Sequence, residues 1–258
     1  MSEEVVLLAI DGAVATVSIN RPQARNSLVR GMGGLLHAQL RAVAANRDVR
    51  VLVLRGTGRD FCAGADVKAL MPVAGPRPEP DFDAYQVSIL LHEMPQVTIA
   101  AIRGACAGAG FGYACACDLR VADDDLRMNT AFLDVGVAGD MGVPWSLPRL
   151  IGPGRARELM FLPRKIGSAE ALDLGLVQRV WPADAFEAGL DALTGRLAGA
   201  APIALGAMKA NFVEAERTDF RSFITIEAER HIRLLGSDDH AEAARARGEK
   251  RAPVFRGR

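Results

Sequence analysis

The chain has 258 residues, half of them hydrophobic, and its 31 lysines and arginines balance 31 aspartates and glutamates. That length can bury a substantial core, and the even charge gives no field that would draw nucleic acid or a membrane surface. No uninterrupted apolar run approaches the ~18 residues of a membrane span, and the opening MSEEVVLLAIDG has acidic residues before its short apolar run, unlike a signal or transit peptide.

In chain order, strand and helix signals alternate. Two β-rich runs, 5–10 and 14–19, flank Asp11-Gly12, a good two-residue hairpin turn. Asn26 or Ser27 is expected to cap a helix reaching Ala45, with Leu28, Leu35, Leu36, Leu40 and Val43 on one face. A buried strand is expected over 49–54 and a short helix over 66–71. Four prolines between Pro72 and Asp81 predict an exposed loop. The pattern then predicts a helix over 81–93, a strand over 97–102, and a helix over 108–116. Short strands over 119–122 and 126–129 are expected around Asp123-Asp124-Asp125. Helices over 145–151 and 155–161 follow, then one over 169–174 capped by Ser168 and stopped by Gly175, and a strand over 177–181. Beyond Asp184 the pattern is helical, over 184–197, 203–215, 219–235 and 241–247. The expected fold class is α/β, with a mixed body over 1–185 and a helical region over 186–258.

The segment Gly104 to Leu119, GACAGAGFGYACACDL, organises the chain. Four glycines within nine residues let a backbone turn sharply or approach a ligand. Its Cys106-Ala107-Gly108-Ala109 repeats Cys62-Ala63-Gly64-Ala65, and each copy follows a β run. Two such strand-to-helix turns would aim backbone N–H groups at one substrate oxygen, as an oxyanion hole does. The alternative is that these small residues only let a helix sit close on a sheet. No Gly-Lys-Ser/Thr follows, so this is not a phosphate-binding P-loop. Gly-x-Gly-x-Gly in mid-chain is also a poor dinucleotide signature. The four cysteines form no CxxC pair, so buried reduced thiols of a cytoplasmic protein are expected, with no metal site. His37, His92, His231 and His240 lie away from both turns.

Several motifs in one order resemble the enoyl-CoA hydratase/isomerase (crotonase) family. They are Asn20-Arg21-Pro22 through Asn26-Ser27-Leu28, Phe61 to Asp66, Gly104 to Asp118, Leu147 to Gly152, Ser168 to Val180, and Glu249 to Phe255. The resemblance implies a crotonase-like spiral of ββα units with a helical C-terminal trimerisation region. It implies an acyl-CoA thioester as ligand, coenzyme A being part of the substrate rather than a cofactor, and a homotrimer or dimer of trimers. By similarity, Ala65 and Ala109 donate to the thioester oxygen, while Ala24, Arg25, Asn26, Ala63, Asp66 and Val67 hold the CoA and Phe132 lies in the substrate site.

The chain departs from the family in its acid/base groups. The two glutamates of typical hydratases would fall at Gly112 and Phe132, and neither of these residues can move a proton. Asp140, in Gly136 to Gly142, matches a position where certain relatives carry a working acid. Three roles for it stand open: a single acid/base for double-bond isomerisation, a nucleophile as in the family's dehalogenases, which need an aromatic cage that Phe132 alone does not supply, or a cap for the helix near Trp145; Asp134 competes from nearby. Hydration with Asp140 as sole base, and a silent acyl-CoA-binding homologue, are the alternatives.

Overall fold

The computed structural model describes residues 4–66 and 82–258. The loop expected over 72–81, and all but the first residue of the helix expected over 66–71, lie outside the described residues. The chain opens with β1 (Val6–Asp11), β2 (Val14–Ile19), α1 (Met32–Ala45), β3 (Val51–Gly56), α2 (Phe82–Glu93) and β4 (Val97–Ile102). Next come β5 (Ala105–Ala107), α3 (Ala109–Ala116), β6 (Leu119–Asp123), β7 (Arg127–Asn129), α4 (Val143–Ile151) and α5 (Pro153–Phe161). The rest is β8 (Ile166–Gly167), α6 (Ser168–Leu174), β9 (Arg179–Trp181), α7 (Phe186–Ala198), α8 (Pro202–Ala215), α9 (Phe220–Leu235) and α10 (Asp238–Gly248).

One six-stranded sheet runs β1-β2-β3-β4-β6-β9, parallel except for the β1–β2 hairpin. Asp11 pairs with Val14, so Gly12 and Ala13 make the turn, one residue beyond the expected pair. All six residues of β4 are buried, as a central parallel strand with both faces covered requires. Alternation divides the two cores. Leu52, Leu54, Ala100 and Ile102 join the larger cluster with α1, α2 and α3, whereas Val51, Val53, Ile99 and Ala101 meet Phe186 and Leu190 of α7. The first helix after residue 185 thus closes the second face of the sheet.

A second, three-stranded sheet runs β5-β7-β8. The strands expected around Asp123 to Asp125 both form, but β6 and β7 belong to different sheets, and the chain crosses between them there.

Two expected caps have other roles. Asn26 is fully buried; its Oδ1 accepts from the Arg21 N–H (2.8 Å), and its Nδ2 donates to the Thr57 (2.9 Å) and Asp60 (2.5 Å) carbonyls. It braces a loop, and α1 begins after Gly31, which holds a left-handed φ of 83°. Ser168 likewise lies inside α6 and donates to the Asp124 carbonyl (3.1 Å), Gly167 being the cap. Further on, Lys209 of α8 is buried. Its Nζ lies 2.8 Å from Asp118 Oδ2 and donates to the Leu91 (3.0 Å) and Gln96 (2.9 Å) carbonyls, pinning the C-terminal helices to the body. Among the described residues no helix is long and apolar enough to cross a membrane.

Candidate active site

The two Cys-Ala-Gly-Ala copies lie side by side in register. Cys62 and Cys106 form a parallel bridge, with the Cys62 N–H donating to the Ala105 carbonyl and the Ala107 N–H to the Cys62 carbonyl, each at 2.9 Å. Two residues on, both chains turn at glycines with positive φ, 91° at Gly64 and 52° at Gly108. A methyl group added at Gly64 would lie 3.0 Å from the Ala107 carbonyl oxygen, and one at Gly108 would lie 3.7 Å from the Gly64 Cα. The positive φ favours glycine at both positions, and at Gly64 the close approach does so as well.

The residues after these glycines carry the candidate donors. Ala65 bridges Leu28 in parallel fashion. The Leu28 N–H donates to the Gly64 carbonyl and the Asp66 N–H to the Leu28 carbonyl, both at 2.8 Å. That pattern turns the N–H of Ala65 itself away from Leu28. Ala109 is the first residue of α3, where backbone N–H groups have no partner inside the helix and the dipole favours negative charge. Neither N–H donates to a backbone carbonyl among the described residues. Ala65 is exposed and Ala109 buried.

The residues expected to hold CoA form one brace beside Ala65. The Ala63 N–H donates to the Arg25 carbonyl (3.1 Å), and the Ala24 N–H to the Arg21 carbonyl (2.9 Å). Arg25 pairs with Asp60 (3.3 Å). The Asp66 carboxylate lies 3.2 Å from the Arg21 guanidinium, which also donates to the Ser27 carbonyl (2.6 Å). Asn26 offers no free side chain, since its amide is spent on the loop. Val67 lies outside the described residues. The latch between Arg21 and Asp66 went unpredicted, although Arg21 sits in the Asn-Arg-Pro motif.

Asp140 differs from these residues. It is partly buried, and its Oδ1 is shut from solvent with no hydrogen-bond partner among the described residues. Burial pushes its carboxyl from 3.8 up to about 6. Its charge reaches Cys62, whose thiol is pushed up to about 12, mainly by its own burial. Such a thiol stays protonated at neutral pH and is a poor nucleophile. No side chain caps α4, whose N-cap is Gly142, so the helix-cap role is overturned. Asp134 is exposed on a short 3-10 turn.

Phe132 is 3% exposed and belongs to the main core. At Gly112, an added Cβ would lie 2.5 Å from Met141 Cβ and 3.2 Å from Val143 Cγ2. The methionine after Asp140 thus occupies the space that a side chain on α3 would need. Met141 does so at φ 49°, a left-handed value uncommon for a bulky residue. No periodicity or motif marked Met141 in advance.

Two backbone N–H groups without a backbone partner among the described residues follow the paired turns, the type of donor that is worth ~3 kcal/mol each where a pair of them meets one carbonyl oxygen. The Asp140 carboxyl, near enough to Cys62 for its charge to be felt there, has its affinity for a proton raised toward neutrality. The enoyl-CoA hydratase/isomerase family profile matches residues 9–258. A crotonyl-CoA hydratase of Syntrophomonas wolfei is 30% identical, covering 99% of this chain and 99% of that protein. The peroxisomal Δ(3,5)-Δ(2,4)-dienoyl-CoA isomerase of Arabidopsis thaliana is 28% identical, over 98% of this chain and 96% of that one. The crystal structure of an enoyl-CoA hydratase from Bacillus anthracis superposes with a TM-score of 0.93 at 29% identity, covering 99% and 100% of the two chains. With its crotonase fold and a match spanning nearly its whole length, the chain belongs to the enoyl-CoA hydratase/isomerase family.

Proposed function

We propose that this enzyme isomerises enoyl-CoA double bonds, with Asp140 as its single acid/base. The observation that carries this reading is the buried, unpartnered Asp140 oxygen on a carboxyl raised to about 6. A β,γ-enoyl-CoA would lie with its thioester oxygen between the Ala65 and Ala109 N–H groups and its nucleotide end along Ala24 to Asn26 and Ala63 to Val67. The Asp140 carboxylate takes a proton from Cα, the charge moves into a dienolate held by the two donors, and the same group returns the proton at Cγ. One carboxyl suffices because the proton leaves and returns on it, and a pKa near the working pH suits both steps. Gly112 and Phe132 supply no second group to activate water.

The assay follows conversion of a β,γ-enoyl-CoA to its α,β-isomer beside hydration of the α,β-compound. Asp140→Asn should lower isomerase turnover by ~10²–10⁴ while leaving affinity within a few-fold. Full activity in that variant sinks the mechanism. Hydration is the second reading, favoured by the name of the Syntrophomonas relative. It prevails if the wild type hydrates much faster than it isomerises.

Assembly belongs to the same proposal. Phe212, Phe220 and Ile232 of α8 and α9 are 71%, 79% and 68% exposed, more apolar surface than a lone chain ordinarily leaves open. A trimer, or a dimer of trimers, would cover it. Light scattering that finds a monomer at micromolar concentration refutes this.

A further inference from the structure

A cavity of about 340 Å³ lies between α2, α3, the start of α4 and the end of α8, with Ser88, Cys115, Ala116, Met141 and Trp145 in its wall. Met141 is shared. It lines this cavity, and its Cβ stands against Gly112 on the other side, next in sequence to Asp140. Met141 thus links the cavity wall to the residue that carries the carboxyl, and methionine, unbranched with three rotatable bonds, is the residue type best able to move aside.

We propose that this cavity receives the distal end of the acyl group and that Met141 is the partition controlling how far the group reaches. The inference rests on the acyl-CoA reading above. Cys115 is six residues beyond Ala109 on α3, ~9 Å at 1.5 Å per residue. A four-carbon acyl group has three carbon–carbon bonds of ~1.5 Å and stops short of it; a medium-length chain reaches. Roughly 150 Å³ of apolar cavity holds a benzene molecule, so this void has room for about twice that.

The wall also selects for a neutral occupant. Burial holds the Cys115 thiol at about 12, so it carries no charge. The Ser88 hydroxyl is buried with no partner among the described residues. The charged groups at the wall are already engaged: His92 Nε2 lies 3.0 Å from Glu216 Oε2, and Arg217 pairs with Glu93. The ligand class is thus an enoyl chain of medium length or longer that is saturated or phenyl-ended beyond its double bond.

The test is calorimetric titration of the full-length protein with butanoyl-CoA and decanoyl-CoA, which do not react. Ala116→Leu and Ser88→Leu fill the cavity from different walls, and circular dichroism checks that each is folded. The expected result, in whichever variant folds, is a loss of tenfold or more in decanoyl-CoA affinity with butanoyl-CoA affinity within threefold. Met141→Ala should shift the ratio the other way. If butanoyl-CoA binds normally and the decanoyl preference is unmoved by the filling variants, the cavity inference is overturned while the CoA reading stands. If the wild type binds neither thioester, both fall.

Discussion

Gly112→Ala tests whether the place of a missing glutamate is truly closed. The new Cβ would stand 2.5 Å from Met141 Cβ, about 1 Å inside ordinary carbon–carbon contact. Overpacking of this kind costs ~1–3 kcal/mol, while replacing a mid-helix glycine by alanine returns ~1 kcal/mol of helix propensity. The net is a loss of ~0–2 kcal/mol, a fall in Tm of up to ~4 °C for a chain of this size. Activity should suffer more than stability. Relief requires Met141 to shift, and Asp140 is bonded to it; a misplacement of ~1 Å can cost ~10²-fold in rate. Gly112→Glu adds an unpaired buried charge to the clash and should do worse on both counts. Restoring the glutamate as a route back to hydration should therefore fail. Scanning calorimetry and kcat/KM on the isomerase assay read out the two effects. A Gly112→Ala protein about 1 kcal/mol more stable than the parent, with unchanged kcat/KM, would refute the reasoning.

Other outcomes follow from the same geometry. Asp140 holds its proton more tightly in the fold, at about 6, than at the ordinary 3.8, so its contribution to stability should be greatest below ~4, fall as pH rises to ~6, and level off above. Asp140→Asn should abolish that slope and raise stability at pH 7. The linkage ceiling of ~3 kcal/mol shrinks to ~1–2 kcal/mol at a partly exposed group, and denaturant titrations from pH 4 to 8 measure it. In the wild type, kcat/KM for isomerisation should rise through about pH 6 and stay high, because the carboxylate begins the reaction; a profile flat from pH 5 to 8 contradicts Asp140 as the base. Asp66→Asn breaks the 3.2 Å pair with Arg21 and should cost ~1 kcal/mol. It should also weaken acyl-CoA binding several-fold by loosening 21–28, and unchanged calorimetric affinity would show that the latch does not hold the ligand loop.

Regular structure was most legible where side chains have one purpose. The run Val97 to Ile102 reads as a strand and is β4 to the residue, because its β-branched apolar side chains suit the covered sheet in which all six are buried. The doubled turn was legible too, since glycine at matching positions in two β-to-α connections serves little besides a sharp turn or a close approach. Asn26 shows where such reading fails. A buried amide can cap a helix or brace a loop with the same atoms, and only the tertiary positions of Thr57 and Asp60 decide. Strand β5 escaped notice because Ala105, Cys106 and Ala107 carry no alternation; the neighbouring strands, not the residues, make it extended. Asp140 stood out only through the family resemblance, and its isolation from any partner is a fact of packing. Met141 was invisible, because the gap it fills lies 29 positions earlier in the chain.

The in-register bridge between Cys62 and Cys106 separates two kinds of vulnerability. The placement of Ala65 and Ala109, the proposed donors, rests on main-chain hydrogen bonds between adjacent segments, so no single side-chain deletion removes either N–H. Proline, which lacks the N–H, is the substitution that does. Proton transfer, by contrast, hangs on whichever acid the neighbouring loops present. On the proposed reading, a chain built this way can lose or relocate its acid and still bind and polarise a carbonyl at every intermediate step. Chemistry on such a frame can therefore change one residue at a time without passing through a form that has forgotten its ligand.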